Sequence, residues 1–244
     1  MHKQKYTLIL FSLITYLMSS CSPSNEDIIN TAREKMQAGK FSEAVSVISE
    51  LVEKGVEDPS LYNMRGVAYF NLKENSKALT DFDKAISMKA DDYRFYYNRG
   101  NVKRTLNRPE SAVEDYSKAI EFEQGEYEIY LNRALSLMAA HNLSESIEDF
   151  NAANELSNGK DANVHFYRGK AYMVTEDFEK ALSDFNDCIA ITPENAEAYY
   201  GKALAKINLA SGEADKETCS VIAKSIELGY QPATQLQESY CKEK

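Results

Sequence analysis

In the stretch ALTDFDKAI, Ala78 to Ile86, the apolar and small residues Ala78, Leu79, Phe82, Ala85 and Ile86 share one side of a helix with 3.6 residues per turn. Nearly the same pattern returns as AVEDYSKAI from Ala112, SIEDFNAAN from Ser146 and ALSDFNDCI from Ala181, at steps of 34, 34 and 35 residues. Each copy carries a ring four residues after its opening small residue (Phe82, Tyr116, Phe150, Phe185), then a small residue (Ala85, Ala119, Ala153, Cys188). Twelve residues before each opening stands another small residue (Gly66, Gly100, Ala134, Gly169), and four before that a ring (Tyr62, Tyr96, Tyr130, His165). The pattern predicts two short helices per copy, packed closely where the small residues fall. With only ten Gly and five Pro in 244 residues, short turns between helices are expected throughout.

These landmarks, over about residues 59–195, resemble the tetratricopeptide repeat, a helix–turn–helix of 34 residues. A weaker copy runs in register before them, with Ala32, Ala44 and Ile48 at the landmark places. Another follows with Tyr199 and Ala203, and its second helix starts late because ASGEAD adds residues and puts Thr218 in the Ala slot. The resemblance implies an all-α fold: a right-handed α-solenoid of about six repeats over residues 28–231, closed by a capping helix and tail over 232–244. One helix pair cannot bury its apolar face alone, so the pairs must stack and leave a concave side.

A charge pattern is superimposed on the repeats. Arg65, Arg99, Arg133 and Arg168 each precede the Gly position, and Asp81, Asp115, Asp149 and Asp184 follow them at a spacing of 16. The first copy has Thr31 and Val47 at these places and lacks both charges, which reads as a bridge between the two helices of each later repeat. The alternative is an arginine ladder for anionic ligands. In such repeats, ligands usually meet the first helix of each pair. That offset selects Asn63, Val67 and Phe70; Tyr97, Asn101 and Arg104; Leu131, Leu135 and Met138; Phe166, Lys170 and Met173; and Tyr200, Leu204 and Ile207. An apolar row with a few amides and cations suits a peptide or helix laid along the groove; packing among neighbours is the other reading for Leu131, Leu204 and Ile207. The subtype that clamps a C-terminal carboxylate is incomplete here, because Asn63 and Tyr97 stand where its first-helix Lys would be.

The formal charge is −10, and −12 without residues 1–20, which carry Lys3 and Lys5 and no acid. So acidic a body repels nucleic acid, and no nucleic-acid partner is expected. Lys3 and Lys5 precede an apolar run from Thr7 to Met18, too short to span a bilayer, which takes about 20 residues. Ser19, Ser20 and Cys21 follow, a resemblance to a bacterial lipoprotein signal, although Met18 stands where Leu is usual. It implies cleavage after residue 20, acylation of Cys21, a tether over 21–27 and a chain anchored to the cell envelope; the alternative is a plain signal peptide. Ser22 in place of Asp points to the outer membrane.

Catalytic chemistry is not expected. His141 and His165 have no neighbour at a recognised catalytic or metal-ligating spacing, and no Gly-rich phosphate loop or His-Glu-x-x-His occurs. No cofactor or metal is implied. Cys188 fills a small landmark position and reads as a buried, inert thiol. Terminal repeats of this kind often carry a cysteine pair, which implies a disulfide between Cys219 and Cys241, 22 residues apart; free thiols are the alternative. The functional expectation is a membrane-anchored adaptor that holds a protein partner. The rival is a glycan- or peptidoglycan-binding module using Tyr93, Tyr97, Tyr127 and Tyr200.

Overall fold

The computed structural model describes residues 24–241. Thirteen α-helices follow one another there: α1 (Asn25–Gln37), α2 (Phe41–Glu53), α3 (Pro59–Asn71), α4 (Asn75–Met88), α5 (Tyr93–Thr105), α6 (Pro109–Phe122), α7 (Tyr127–Ala139), α8 (Leu143–Leu156), α9 (Ala162–Val174), α10 (Phe178–Ile191), α11 (Ala196–Leu209), α12 (Lys216–Glu227) and α13 (Pro232–Tyr240). They pair in chain order into six hairpins plus α13. The proposed lipid site at Cys21 and the signal segment lie outside the described residues. The expected tether is shorter than 21–27, because Asn25, Glu26 and Asp27 already form the first turn of α1. Ser24 starts that helix through a capping box: Asp27 N–H donates to Ser24 Oγ at 3.1 Å, and Ser24 N–H donates to Asp27 Oδ2 at 2.9 Å.

Turns within the hairpins are closed by a residue with left-handed backbone at Gly39, Lys73, Asn107, His141, Glu176 and Ser211. In the second hairpin, Lys73 N–H reaches Phe70 O at 3.0 Å and Glu74 N–H reaches Tyr69 O at 2.9 Å, which satisfies the last carbonyls of α3. Asp58, Asp92, Asp161 and Asp215 cap α3, α5, α9 and α12. The late start expected of the last hairpin is seen: α12 opens at Lys216, and Thr218 is buried in the slot of the opening Ala.

The core is the set of landmarks. Ala78, Phe82 and Ala85, and likewise Ala112, Tyr116 and Ala119, are fully buried. Burying one such ring is worth roughly 1.5–3 kcal/mol. Gly66 shows why its position must stay small: a Cβ there would lie 2.7 Å from the Phe82 ring. Every helix packs on the next, and α3 also touches α5, α5 touches α7, α7 touches α9 and α9 touches α11. First helices of adjacent hairpins thus crowd together, so the stack bends toward them and they form the concave wall. No described helix is long and apolar enough to cross a membrane.

Candidate functional site

The concave wall is held in shape by the charged pairs. Each guanidinium forks onto its own carboxylate: Arg65 Nε and Nη2 donate to Asp81 at 2.7 and 2.8 Å, and Arg99 to Asp115 at 2.9 and 2.6 Å. Arg133 meets Asp149 at 2.7 and 2.8 Å, and Arg168 meets Asp184 at 2.9 and 2.7 Å. All four carboxylates are buried. Sequence reasoning missed the remaining arm. Nη1 reaches back to the preceding hairpin, to Ser49 Oγ at 3.2 Å, Asp83 Oδ1 at 2.6 Å, Ser117 Oγ at 3.0 Å and Asn151 Oδ1 at 3.0 Å. One arginine therefore fixes both the angle within its hairpin and the stacking on the one before. Three of its five N–H donors are committed this way, which favours a structural role over an anion ladder.

Two cavities open on the inner side. The larger, about 520 Å³, is lined by Met138 of α7, by Phe166, Lys170 and Met173 of α9, and by Tyr200 and Leu204 of α11. Its floor includes Phe185, and Tyr230 from the α12–α13 turn completes a wall. Volume and lining fall in the range of pockets that enclose a ligand or several side chains. Gly201 helps make this space, since a Cβ there would lie 2.5 Å from the Phe185 ring. Lys170, the cationic head at the rim, bonds Glu197 at 3.0 Å and lies over the Phe166 ring at 5.2 Å. Both members of this pair are well exposed, so it contributes little stability and can exchange.

The second cavity, about 350 Å³, mixes rings with polar groups and is lined by Asn63, Tyr93, Arg94, Tyr97, Asn98, Glu126, Glu128 and Ile129. Amides knit its wall: Asn98 Nδ2 donates to Asn63 Oδ1 at 2.9 Å and Asn132 Nδ2 donates to Tyr97 Oη at 3.1 Å. The remaining groove candidates line neither cavity. Phe70 packs on the cluster of Phe82 and Val102, and Leu135 on that of Phe150 and Ala171, because the first helix of the next hairpin covers them. Val67 and Leu131 pack in these same two clusters, and Ile207 is buried in the terminal core. Asn101 accepts from the Tyr116 hydroxyl at 2.8 Å, and Arg104 is exposed.

His141 stands exposed in the turn after α7 and lines the larger cavity. His165, where other copies have Tyr, is buried; its Nδ1 lies 3.2 Å from Asp184 Oδ1 and its Nε2 lies 3.2 Å from Gly159 O. Asp184 pairs with it at a spacing of 19, which is not a recognised catalytic or metal-ligating spacing. The His165 pKa is raised, chiefly by the Asp184 bond. Among the described residues, His165, Asp184 and Asp187 bring their ligand atoms together as a metal site could. Asp184 is already committed to Arg168 and His165, however, so the cluster reads as an ion-paired network. Cys219 and Cys241 are joined, tying α12 to α13. Cys188 is free and buried, and burial pushes its thiol up to about 11.

Family profiles described as Tetratricopeptide repeat match residues 29–94, 93–125 and 162–195, together more than half of the chain. Among solved structures, the C-terminal part of a TPR repeat-containing protein from Cytophaga hutchinsonii is similar at 18% identity with a TM-score of 0.71, over 86% of this chain and 82% of that one. YrrB, described as a TPR protein with an unusual peptide-binding site, is similar at 19% identity with a TM-score of 0.67, over 78% of this chain and 97% of that one. MamA from Desulfovibrio magneticus is similar at 19% identity with a TM-score of 0.64, over 69% and 94% of the two chains. At such identities the likeness is one of fold. No curated protein matches the chain. Landmark spacing, stacked hairpins and matching profiles together place this chain in the tetratricopeptide-repeat family.

Proposed function

We propose that this protein is a non-catalytic scaffold that holds a protein partner on its concave face, with the larger cavity as the anchoring point. The observation that carries this reading is the convergence of Met138, Phe166, Met173, Leu204 and Tyr200 from three separate first helices on one apolar space of about 520 Å³. Large apolar side chains of a peptide or helix are the natural occupants, with Lys170 turning to a polar group of the partner. The lipoprotein-like residues 1–21 support a chain tethered to the envelope through an acylated Cys21, on the outer membrane because Ser22 follows. Two acyl chains or more give stable anchoring where one does not.

A second reading follows from the smaller cavity, where Tyr93 and Tyr97 stand beside amides and carboxylates, a lining that suits a glycan. The two are separated by offering the full chain solubilised envelope proteins and, in parallel, purified cell-wall sacculi. The scaffold reading predicts retention of a discrete protein, weakened by Met173→Glu, and none of the sacculus. Retention on sacculi that is insensitive to Met173→Glu and lost in Tyr97→Ala contradicts it. Palmitate labelling of wild type against Cys21→Ala tests the anchor, and equal labelling of both overturns it.

A further inference from the structure

The cavity wall nearest the C-terminus is not built by the repeats. Tyr230 follows Gly229, whose φ of 96° turns the chain out of α12, and its ring lies 5.1 Å from that of Tyr200 across the mouth of the larger cavity. Tyr230 N–H bonds Ser225 O of α12 at 3.0 Å, and its ring packs in the terminal cluster that Ala233 and Leu236 of α13 complete. That last helix is weakly held. It has nine residues, its N-cap Gln231 makes no side-chain bond, and Ala233 alone among its residues is fully buried. Leu236 and Cys241 only half-bury themselves against Ile207 and Ile222. Helices shorter than about 12 residues are marginal without tertiary support. The covalent link from Cys241 to Cys219 supplies that support, and both cysteines are half-buried rather than sealed, within reach of a small thiol.

We propose that the Cys219–Cys241 bond is a redox-sensitive strut that sets the wall of the binding cavity. While intact, it holds α13 on α12 and Tyr230 against Tyr200. A dithiol reductant breaks it by thiol–disulfide exchange: the protein's S–S bond accepts two electrons and two protons to give two thiols, and the dithiol closes into its own disulfide. The six hairpins stay stacked, α13 frays, and Tyr230 leaves the cavity. A loss of partner affinity on reduction rests on the reading of this cavity as the docking site; movement of the wall does not, so the two can fail separately.

The test needs no partner. The full chain, carrying ¹³C-methyl methionine, is compared by NMR and by hydrogen exchange before and after dithiothreitol. The strut predicts at least tenfold faster exchange in α13, with movement of the Met138 and Met173 methyl signals from the cavity and none of Met36, Met64 or Met88. The double variant Cys219→Ser, Cys241→Ser reproduces this without reductant, which excludes an effect through Cys188. Tyr230→Ala shifts the same methyls in the oxidised chain and removes any further shift on reduction. If both thiols are free and α13 stays protected, or the cavity methyls stay put, the proposal fails. General loss of helicity on reduction equally overturns it.

Discussion

Removing Arg133 tests the bridges directly, and the structure sets the size of the effect. Asp149 is 8% exposed at its side chain, and its bonds run to Arg133 at 2.7 and 2.8 Å. Taking one partner from a buried pair costs about 3–5 kcal/mol. Arg133 itself is 23% exposed, so water compensates in part, and about 2–4 kcal/mol is expected for Arg133→Ala. For a chain of this size that is a fall in Tm of about 6–12 °C at the middle of the range. Arg99→Ala is the internal control. Asp115 keeps Lys103 Nζ at 2.8 Å after Arg99 is removed, so the buried carboxylate is not left unpaired and the loss is about 1–2 kcal/mol. Replacing Arg133 by Met and Asp149 by Leu together returns most of the stability. The assay is urea and thermal unfolding of the four proteins by circular dichroism. Equal losses for Arg133→Ala and Arg99→Ala, or less than about 1 kcal/mol for the former, refute the argument that buried acids make these bridges matter.

Three further outcomes follow. Gly66→Ala puts a methyl 2.7 Å from the fully buried Phe82 ring, and despite a better helix propensity it should destabilise by about 1–3 kcal/mol in urea melts; neutrality would show that the ring has room to move. His165 faces acceptors on both ring nitrogens, so its charged form is the fully bonded one; Asp184 and Asp187 on α10, Arg168 on α9 and the Gly159 carbonyl are its polar surroundings. With the folded pKa raised above 6.5, its contribution is complete below that value and is lost as pH climbs through the folded pKa, so the stability gap to His165→Phe should shrink as pH rises above about 6.5; a widening gap contradicts the sign. Cys188, buried and with its thiol pushed up to about 11, should resist a thiol reagent in the native chain and react on unfolding; rapid native labelling would place it in a mobile region.

The hairpins were readable from sequence because close helix packing admits few residue types at fixed offsets: Gly100 cannot grow without striking Tyr116. Arg–Asp pairing at 16 residues was readable for the same reason, since one hairpin geometry serves every copy. The third arginine arm was hidden because its partners, Ser49, Asp83, Ser117 and Asn151, share only a short acceptor and not an identity. Groove offsets selected Met138, Phe166, Lys170, Met173 and Tyr200, which line the larger cavity, and also Phe70 and Leu135, which line neither, because an offset does not say where the next first helix will pack on the row. Tyr230 lies in the turn between α12 and α13 and at no landmark place, so no periodicity could have pointed to it.

The central claim is that a partner docks into the cavity between α7, α9 and α11. A photo-crosslinking residue in place of Met173, inside that cavity, can be compared in intact cells with one in place of Glu148, exposed on α8. The account predicts one discrete protein adduct from position 173, abolished by adding Met138→Glu, and none from position 148. Adducts from position 148 alone, or adducts from position 173 that ignore Met138→Glu, would contradict it.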